Sequence, residues 1–489
     1  MEKRIVTGSL WMLGGNGLYQ GLQFVTFILL ARYLEPDAFG YVALATGVFE
    51  IVSAAGRWGL SDVMLQRRQP SRLFLSHTFI LGMALAGILY LFSIAGILVY
   101  VKLHGWTLIA QLLMLLAPMV LLQAAEMVPE TVLKQRLDFR WLALRNNTAA
   151  LVGGLVALVL AIKGLGVYAL VVQRLLSLTI LLAMVWTAAG DSIRIFPWRR
   201  YRKKLFAGIG TAGAHMVSSP LAALLGPRLT DIMVGIFLGP NALGQLKIAR
   251  RIFDFVAELT IMPLSSVAQA VLPKLATREA ELRTVYNRIQ GVCALGVFPL
   301  FAGLALTAPL WVPLVLGRQW IAAVILIQLA SLASISAVVN YFQLPLLIAY
   351  RRNKLISAQN IVRLASSVAL TAVGLAFGLE VIVVLFVLQG YAFMIFNWTM
   401  IKKIAGWSVI ENINNIMPAL AGTGGMIAVL LLYDYRFHPE AGWINLALVS
   451  LVGALTYAIV LLMGFREKTL GVLREVVILF RRKSRDSTE

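Results

Sequence analysis

Five ionisable residues crowd one apolar stretch: Lys247, Arg250, Arg251, Asp254 and Glu258. An α-helix turns about 100° per residue, so all five share a stripe about 100° wide. Charges at membrane depth are costly and face a bundle interior or a wet cavity, not lipid. The stripe therefore has two readings. It is either a self-neutralising ladder that docks the helix, with Arg250 and Arg251 each spaced to pair with Asp254, or the lining of a polar path. In the second case the chemistry is anion binding, because the planar guanidinium fork takes two phosphate oxygens at once.

Other apolar stretches carry fewer such groups. Glu50 and Arg57 lie seven apart and share a helix face, although Arg57 is near enough to an end to snorkel. Arg228 and Asp231 are a three-residue pair, with His215, Ser218 and Ser219 a few turns earlier. Arg174 and Arg363 stand singly, and Glu126 and Glu130 are placed to neutralise nearby arginines. Asn16, Gln20 and Gln23 form a polar face suited to interhelical hydrogen bonds or to sugar hydroxyls. Nothing here resembles a catalytic constellation. The single cysteine, Cys293, reads as an inert buried thiol and excludes an intramolecular disulfide or a CxxC pair, and four scattered histidines offer little to a metal. No GxxxxGK[ST] phosphate loop occurs, and no cofactor is implied.

The elements that must hold these residues follow from composition. The chain has 489 residues, 60% apolar and 13% charged, with a mean hydropathy of +0.84. Soluble domains run about 45–50% apolar and about 25% charged, so an ordinary soluble protein is excluded, as is intrinsic disorder. The expected fold class is an all-α integral membrane protein with about 14 transmembrane helices. Apolar runs long enough to cross about 30 Å of hydrocarbon comprise a stretch of about 22 residues ending near Arg32, then runs at roughly 38–61, 74–101, 107–130, 142–162, 166–188, 207–238, 242–264, 287–314, 320–349, 356–377, 379–400, 414–433 and 441–464. The first follows Met1-Glu2-Lys3-Arg4 without a small-residue cleavage site and reads as a signal anchor.

Fourteen spans put both ends on one side, and the loops of that side hold 31 Lys and Arg against 5 in the opposite loops. The positive-inside rule makes the 31-residue side cytoplasmic. The net charge of +21 is thereby explained by topology and needs no nucleic acid. The run from Arg194 to Lys204 mixes aromatic and basic residues, and the tail places Leu470, Leu473, Val477 and Phe480 on one face with basic residues beyond. Both suit an anionic inner leaflet.

The chain also repeats. Leu30–Val52 aligns without a gap on Val234–Val256, an offset of 204 residues, with identities at Leu34/Leu238, Pro36/Pro240, Ala38/Ala242, Gly40/Gly244, Ala45/Ala249, Phe49/Phe253 and Val52/Val256. Six spans separate the copies, so both have the same orientation and form a parallel repeat. The expected organisation is a six-helix lobe over 1–190, a basic interfacial linker over 191–205, a second six-helix lobe over 206–403, two further helices over 404–465 and a basic cytoplasmic tail over 466–489. Two such lobes suit alternating access, with a path at their interface.

The segments LARYLEPDAFGYVAL and DIMVGIFLGPNALGQLKIARRIFDF, with the fourteen-span layout, resemble the polysaccharide transporter (Wzx-type) family. That family shares a superfamily with multidrug MATE exporters and the peptidoglycan-precursor flippase. The resemblance implies flipping of undecaprenyl-pyrophosphate-linked oligosaccharide across a bacterial inner membrane, for O-antigen, capsule or exopolysaccharide assembly. It also implies work beside a polysaccharide polymerase and chain-length machinery, with H+ or Na+ as a coupling ion. On that reading Arg57, Arg174, Arg228, Lys247, Arg250, Arg251 and Arg363 would meet phosphates, and Asn16, Gln20 and Gln23 hydroxyls. Glu50, Asp231, Asp254 and Glu258 would offset charge or carry the coupling ion. The alternatives are a MATE-like small-molecule exporter, which would need acids free of surrounding arginines, and a membrane polymerase or ligase, which would need a large outer loop. A major-facilitator loop is a poor match to Gly59–Arg68, and a scaffold would leave the intramembrane charges unexplained.

Overall fold

The computed structural model describes residues 2–57, 59–67, 70–193, 221–438 and 440–465, with side chains from Gly14 onward. The basic linker beyond Ile193, the tail from Arg466, and His215, Ser218 and Ser219 lie outside the described residues. Among the described residues every extended element is helical. In order these are α1 (Glu2–Tyr33), α2 (Pro36–Arg57), α3 (Leu60–Leu65), α4 (Arg72–His104), α5 (Leu108–Leu116), α6 (Met119–Gln135), α7 (Phe139–Ile162) and α8 (Val167–Ala189). The described part of α9 covers 221–237. There follow α10 (Gly239–Val271), α11 (Glu279–Val315), α12 (Ala323–Ser331), α13 (Ser334–Ala349), α14 (Asn353–Gly374), α15 (Leu379–Ala405), α16 (Val409–Phe437) and α17 (Trp443–Gly464).

Among the described residues eleven helical stretches are long and apolar enough to span a bilayer, or twelve with the pair α12 and α13, bent by 53°, taken as one span. The chain is a multi-pass membrane protein. These twelve correspond to the second to sixth and eighth to fourteenth of the expected spans. The first coincides with α1, whose side chains are described only from Gly14, and the seventh involves residues outside those described.

Local chemistry sets the breaks. Ser71 accepts a hydrogen bond from Phe74 N at 3.2 Å and Thr107 one from Ala110 N at 3.4 Å, each opening a helix. Gly239, at φ +90°, makes the turn from α9 into α10, a conformation that costs glycine nothing. Among the described residues seven prolines sit inside helices, including Pro129 in α6 and Pro263 in α10, as is common in membrane helices whose neighbours take up the freed backbone groups.

The chain forms two compact units, one of Met1–Lys247 with Ser357–Leu379, the other of Ile248–Ile356 with Glu380–Glu489. Small residues let the helices of the first unit approach closely. A β-carbon on Gly15 would stand 2.5 Å from Ala143 Cβ, and one on Gly154 would stand 2.6 Å from Thr26 Oγ1, so α1 lies tight on α7. The apolar core of this unit joins Phe49, Leu112, Leu116, Met119 and Val171. In the second unit, Tyr286, Phe298, Phe301 and Phe342 are buried in one cluster, and Gly422 and Gly425 of α16 pack against Tyr457 and Val460 of α17.

The repeat has a structural counterpart within the first unit. A β-carbon on Gly40 would fall 1.8 Å from the carbonyl oxygen of Pro240, and one on Gly244 would fall 1.9 Å from that of Pro36. The opening turns of α2 and α10, which are the two repeat copies, cross backbone to backbone with each proline facing the other copy's glycine.

Candidate functional site

Four helices of the first unit contribute to one series of ion pairs. From α2, Glu50 Oε1 accepts a hydrogen bond from Arg174 Nη2 of α8 at 2.8 Å. The other oxygen, Oε2, lies 2.5 Å from Arg228 Nε of α9. One turn on, Asp231 Oδ2 is 3.4 Å from Arg228 Nη1 and also takes Lys247 Nζ from α10. Charge alternates along the series: Arg174, Glu50, Arg228, Asp231, Lys247.

Burial distinguishes the two acids. The Asp231 side chain is 0% exposed, and a carboxylate withdrawn from water costs several kcal/mol unless it is paired. Lys247 and Arg228 provide that pairing. Glu50 retains 20% exposure and Arg174 40%. Both line a cavity of about 400 Å³ with Arg57, Ser61, Gln123 and Arg228. A second cluster borders the same cavity through Glu126, Glu130 and Lys134. Arg145 of α7, almost fully buried, donates to Glu126 Oε1 at 2.8 Å and stands 3.4 Å from Glu130, which Lys134 meets at 2.7 Å.

The structure thus joins Glu50, Arg174, Arg228, Asp231 and Lys247 and sets Arg57 on the same cavity. Arg251 lies 4.0 Å from Glu258, two turns along α10 in the second unit, where Arg250 and Asp254 also belong. Arg363 is exposed on α14, which packs on α9 where Thr371 meets Thr230 at 3.2 Å. On α1, Gln23 Nε2 reaches Tyr19 OH at 3.4 Å, Gln20 is half-buried and Asn16 is exposed. Arg145 is the arginine that Glu126 and Glu130 neutralise, a pairing the sequence suggests for nearby arginines without singling this one out. Among the described residues no three acids, histidines or cysteines are placed to share a metal ion.

Chemically the arrangement can hold an anion. Two guanidinium groups converge on one carboxylate at the wall of a cavity, where partial burial keeps water from competing fully for them. Residues 29–325, more than half of the chain, match the polysaccharide biosynthesis protein family. The chain belongs to that family. The chain is 25% identical over 309 residues to the succinoglycan biosynthesis transport protein ExoT of Rhizobium meliloti, covering 61% of this chain and 60% of that one. It is 22% identical over 351 residues to the lipopolysaccharide biosynthesis protein WzxC of Escherichia coli, covering 67% and 66%. It therefore spans somewhat under two thirds of these relatives. Its fold is that of the lipid II flippase MurJ solved in an inward closed conformation, with a TM-score of 0.73, 14% identity, and coverage of 95% of this chain and 100% of that one.

Proposed function

We propose that this protein is a flippase that carries undecaprenyl-pyrophosphate-linked oligosaccharide repeat units across the bacterial inner membrane by alternating access, for O-antigen, capsule or exopolysaccharide assembly. The observation that carries the reading is the convergence of Arg174 and Arg228 on the cavity-lining carboxylate of Glu50, with Glu50 and Arg174 on helices long and apolar enough to span a bilayer. The head group of such a lipid is a diphosphate bearing sugars, and hydrocarbon opposes its passage because its charges and hydroxyls would lose their water. A fixed cation fork replaces that water for the phosphates. A 400 Å³ cavity lies at the low end of the range of about 300–1,000 Å³ for small-molecule sites. It suits the diphosphate and only part of the glycan.

On this reading Arg57, Arg174, Arg228, Lys247, Arg250, Arg251 and Arg363 serve the phosphates, and Asn16, Gln20 and Gln23 the hydroxyls. Glu50, Asp231, Asp254 and Glu258 balance charge and respond to H+ or Na+. The lobes are 1–190 and 206–403, with two added helices, and both termini are cytoplasmic. The basic linker and tail rest on anionic lipids, and a polysaccharide polymerase takes the product. The work is transport rather than catalysis. The relatives' names and the shared fold support this reading. Purified protein in proteoliposomes should move radiolabelled undecaprenyl-pyrophosphate-linked oligosaccharide to the leaflet where an added glycosidase can digest it. Protection equal to that in protein-free liposomes would contradict the proposal.

A further inference from the structure

The two acids in the ion-pair series are not equivalent, and the difference points to a role for Glu50. Asp231 is fully enclosed and bonded to both neighbours. Glu50 is open to the cavity, and so are the two arginines that hold it. Its carboxylate satisfies their charge but not their geometry. Arg174 gives Glu50 Oε1 one Nη2–H bond, while Arg174 Nε, Arg228 Nε and Glu50 Oε2 are buried without a hydrogen-bond partner among the described residues. Arg228 Nε is 2.5 Å from Glu50 Oε2, yet no hydrogen bond is directed between them. A buried N–H left unused is expensive. One carboxylate has two oxygens for two forks, whereas a phosphoryl group presents more oxygens and can engage each fork in the bidentate manner guanidinium favours.

We infer that Arg174 and Arg228 form a phosphoryl site in which Glu50 is a built-in, displaceable occupant. The incoming diphosphate takes both forks and expels the Glu50 carboxylate into the cavity. Glu50 thereby weakens binding. It keeps the two arginines apart and charge-balanced when the site is empty, and its return helps to release the diphosphate after translocation. This rests on the proposed function and adds to it the group that sets how tightly substrate is held.

The test uses the full chain in phosphatidylcholine nanodiscs, with inorganic pyrophosphate as probe and calorimetry as readout, at fixed ionic strength. Arg228→Ala and Arg174→Ala should each abolish pyrophosphate binding. Glu50→Gln should bind pyrophosphate more tightly than the native protein by about tenfold or more, the scale expected when a like charge beside an anion is removed. Glu50→Asp, whose carboxylate is drawn back by one methylene, should fall between them. If Glu50→Gln binds no more tightly while the arginine variants still lose binding, Glu50 is not an occupant, and the anion-binding reading stands without it. If the arginine variants bind as the native protein does, both fall. Failure of both Glu50 variants to yield folded protein would make the carboxylate a structural necessity and overturn the inference. Phosphatidylglycerol in the nanodisc that displaced pyrophosphate would assign the site to a lipid head group and overturn its assignment to the substrate.

Discussion

Gly40 lies against the backbone of Pro240 so closely that a β-carbon on it would stand 1.8 Å from that carbonyl oxygen, and Gly244 stands in the same relation to Pro36 at 1.9 Å. These four residues are equivalent positions of the repeat taken two by two, so the contact is its own image. Backbone, unlike a flexible side chain, has no room to yield. The glycines therefore set how closely α2 and α10 can cross.

Substituting either glycine by alanine should force the crossing apart. Overpacking of this kind costs about 1–3 kcal/mol, so Gly40→Ala and Gly244→Ala should each lower the melting temperature in detergent. The double variant should cost less than the sum, because one separation relieves both clashes. Gly17→Ala, with open space around it, is the control. An unchanged melting temperature for Gly40→Ala would show that the crossing is loose.

Asp231→Asn should be far more damaging to abundance than Glu50→Gln. The substitution leaves Lys247 and Arg228 near a neutral group inside the bundle, and breaking a buried pair in this way costs about 3–5 kcal/mol. Removing the facing cation as well, in Asp231→Asn/Lys247→Met, should recover part of the lost protein. Immunoblotting of membrane fractions measures both, and no recovery in the double variant would deny the pairing.

Arg145 and Arg174 should separate structure from transport. Arg145→Ala strands Glu126 and Glu130 and should deplete the protein, with Glu126→Gln as a partial suppressor. Arg174→Ala, at a partly exposed position, should leave abundance near normal while export is lost, with Arg174→Lys only partly active because the fork is gone. Normal export by stable Arg174→Ala would remove Arg174 from the substrate path.

Topology follows from the charge asymmetry of the loops. Reporter fusions after Lys204 should read cytoplasmic, and fusions near Asn241 and Arg436 extracytoplasmic. The reverse at either outer site would break the alternation of spans.

Much of the architecture was legible in the residues. Apolar runs located twelve spans that the described helices match, though α10 extends to 239–271 where hydropathy stopped at 242–264, because Ser265, Ser266 and Gln269 end the apolar run without ending the helix. The repeat foretold equivalent elements, and the Pro36/Gly40 and Pro240/Gly244 contact lies on its conserved spacing. The i,i+3 pair of Arg228 and Asp231 was visible in spacing alone. Partners on other helices were not. Glu50 meets Arg174, 124 residues away, and helical periodicity ranks only neighbours on the same helix. For the same reason Lys247 read as part of the stripe on α10, whereas it turns to Asp231 of α9. That Arg145 in particular answers Glu126 and Glu130 was not legible, because spacing along the chain does not say which of several nearby arginines faces them.

Transport of a lipid-linked oligosaccharide has its decisive test in a deletion strain without a redundant flippase. Radiolabelled undecaprenyl-pyrophosphate-linked oligosaccharide should accumulate on the cytoplasmic face of its inner membrane while surface polysaccharide disappears. The native gene should restore both, and Arg228→Ala, expressed at equal level, should restore neither. Normal surface polysaccharide in the deletion strain, with no accumulated lipid-linked intermediate, would contradict the account.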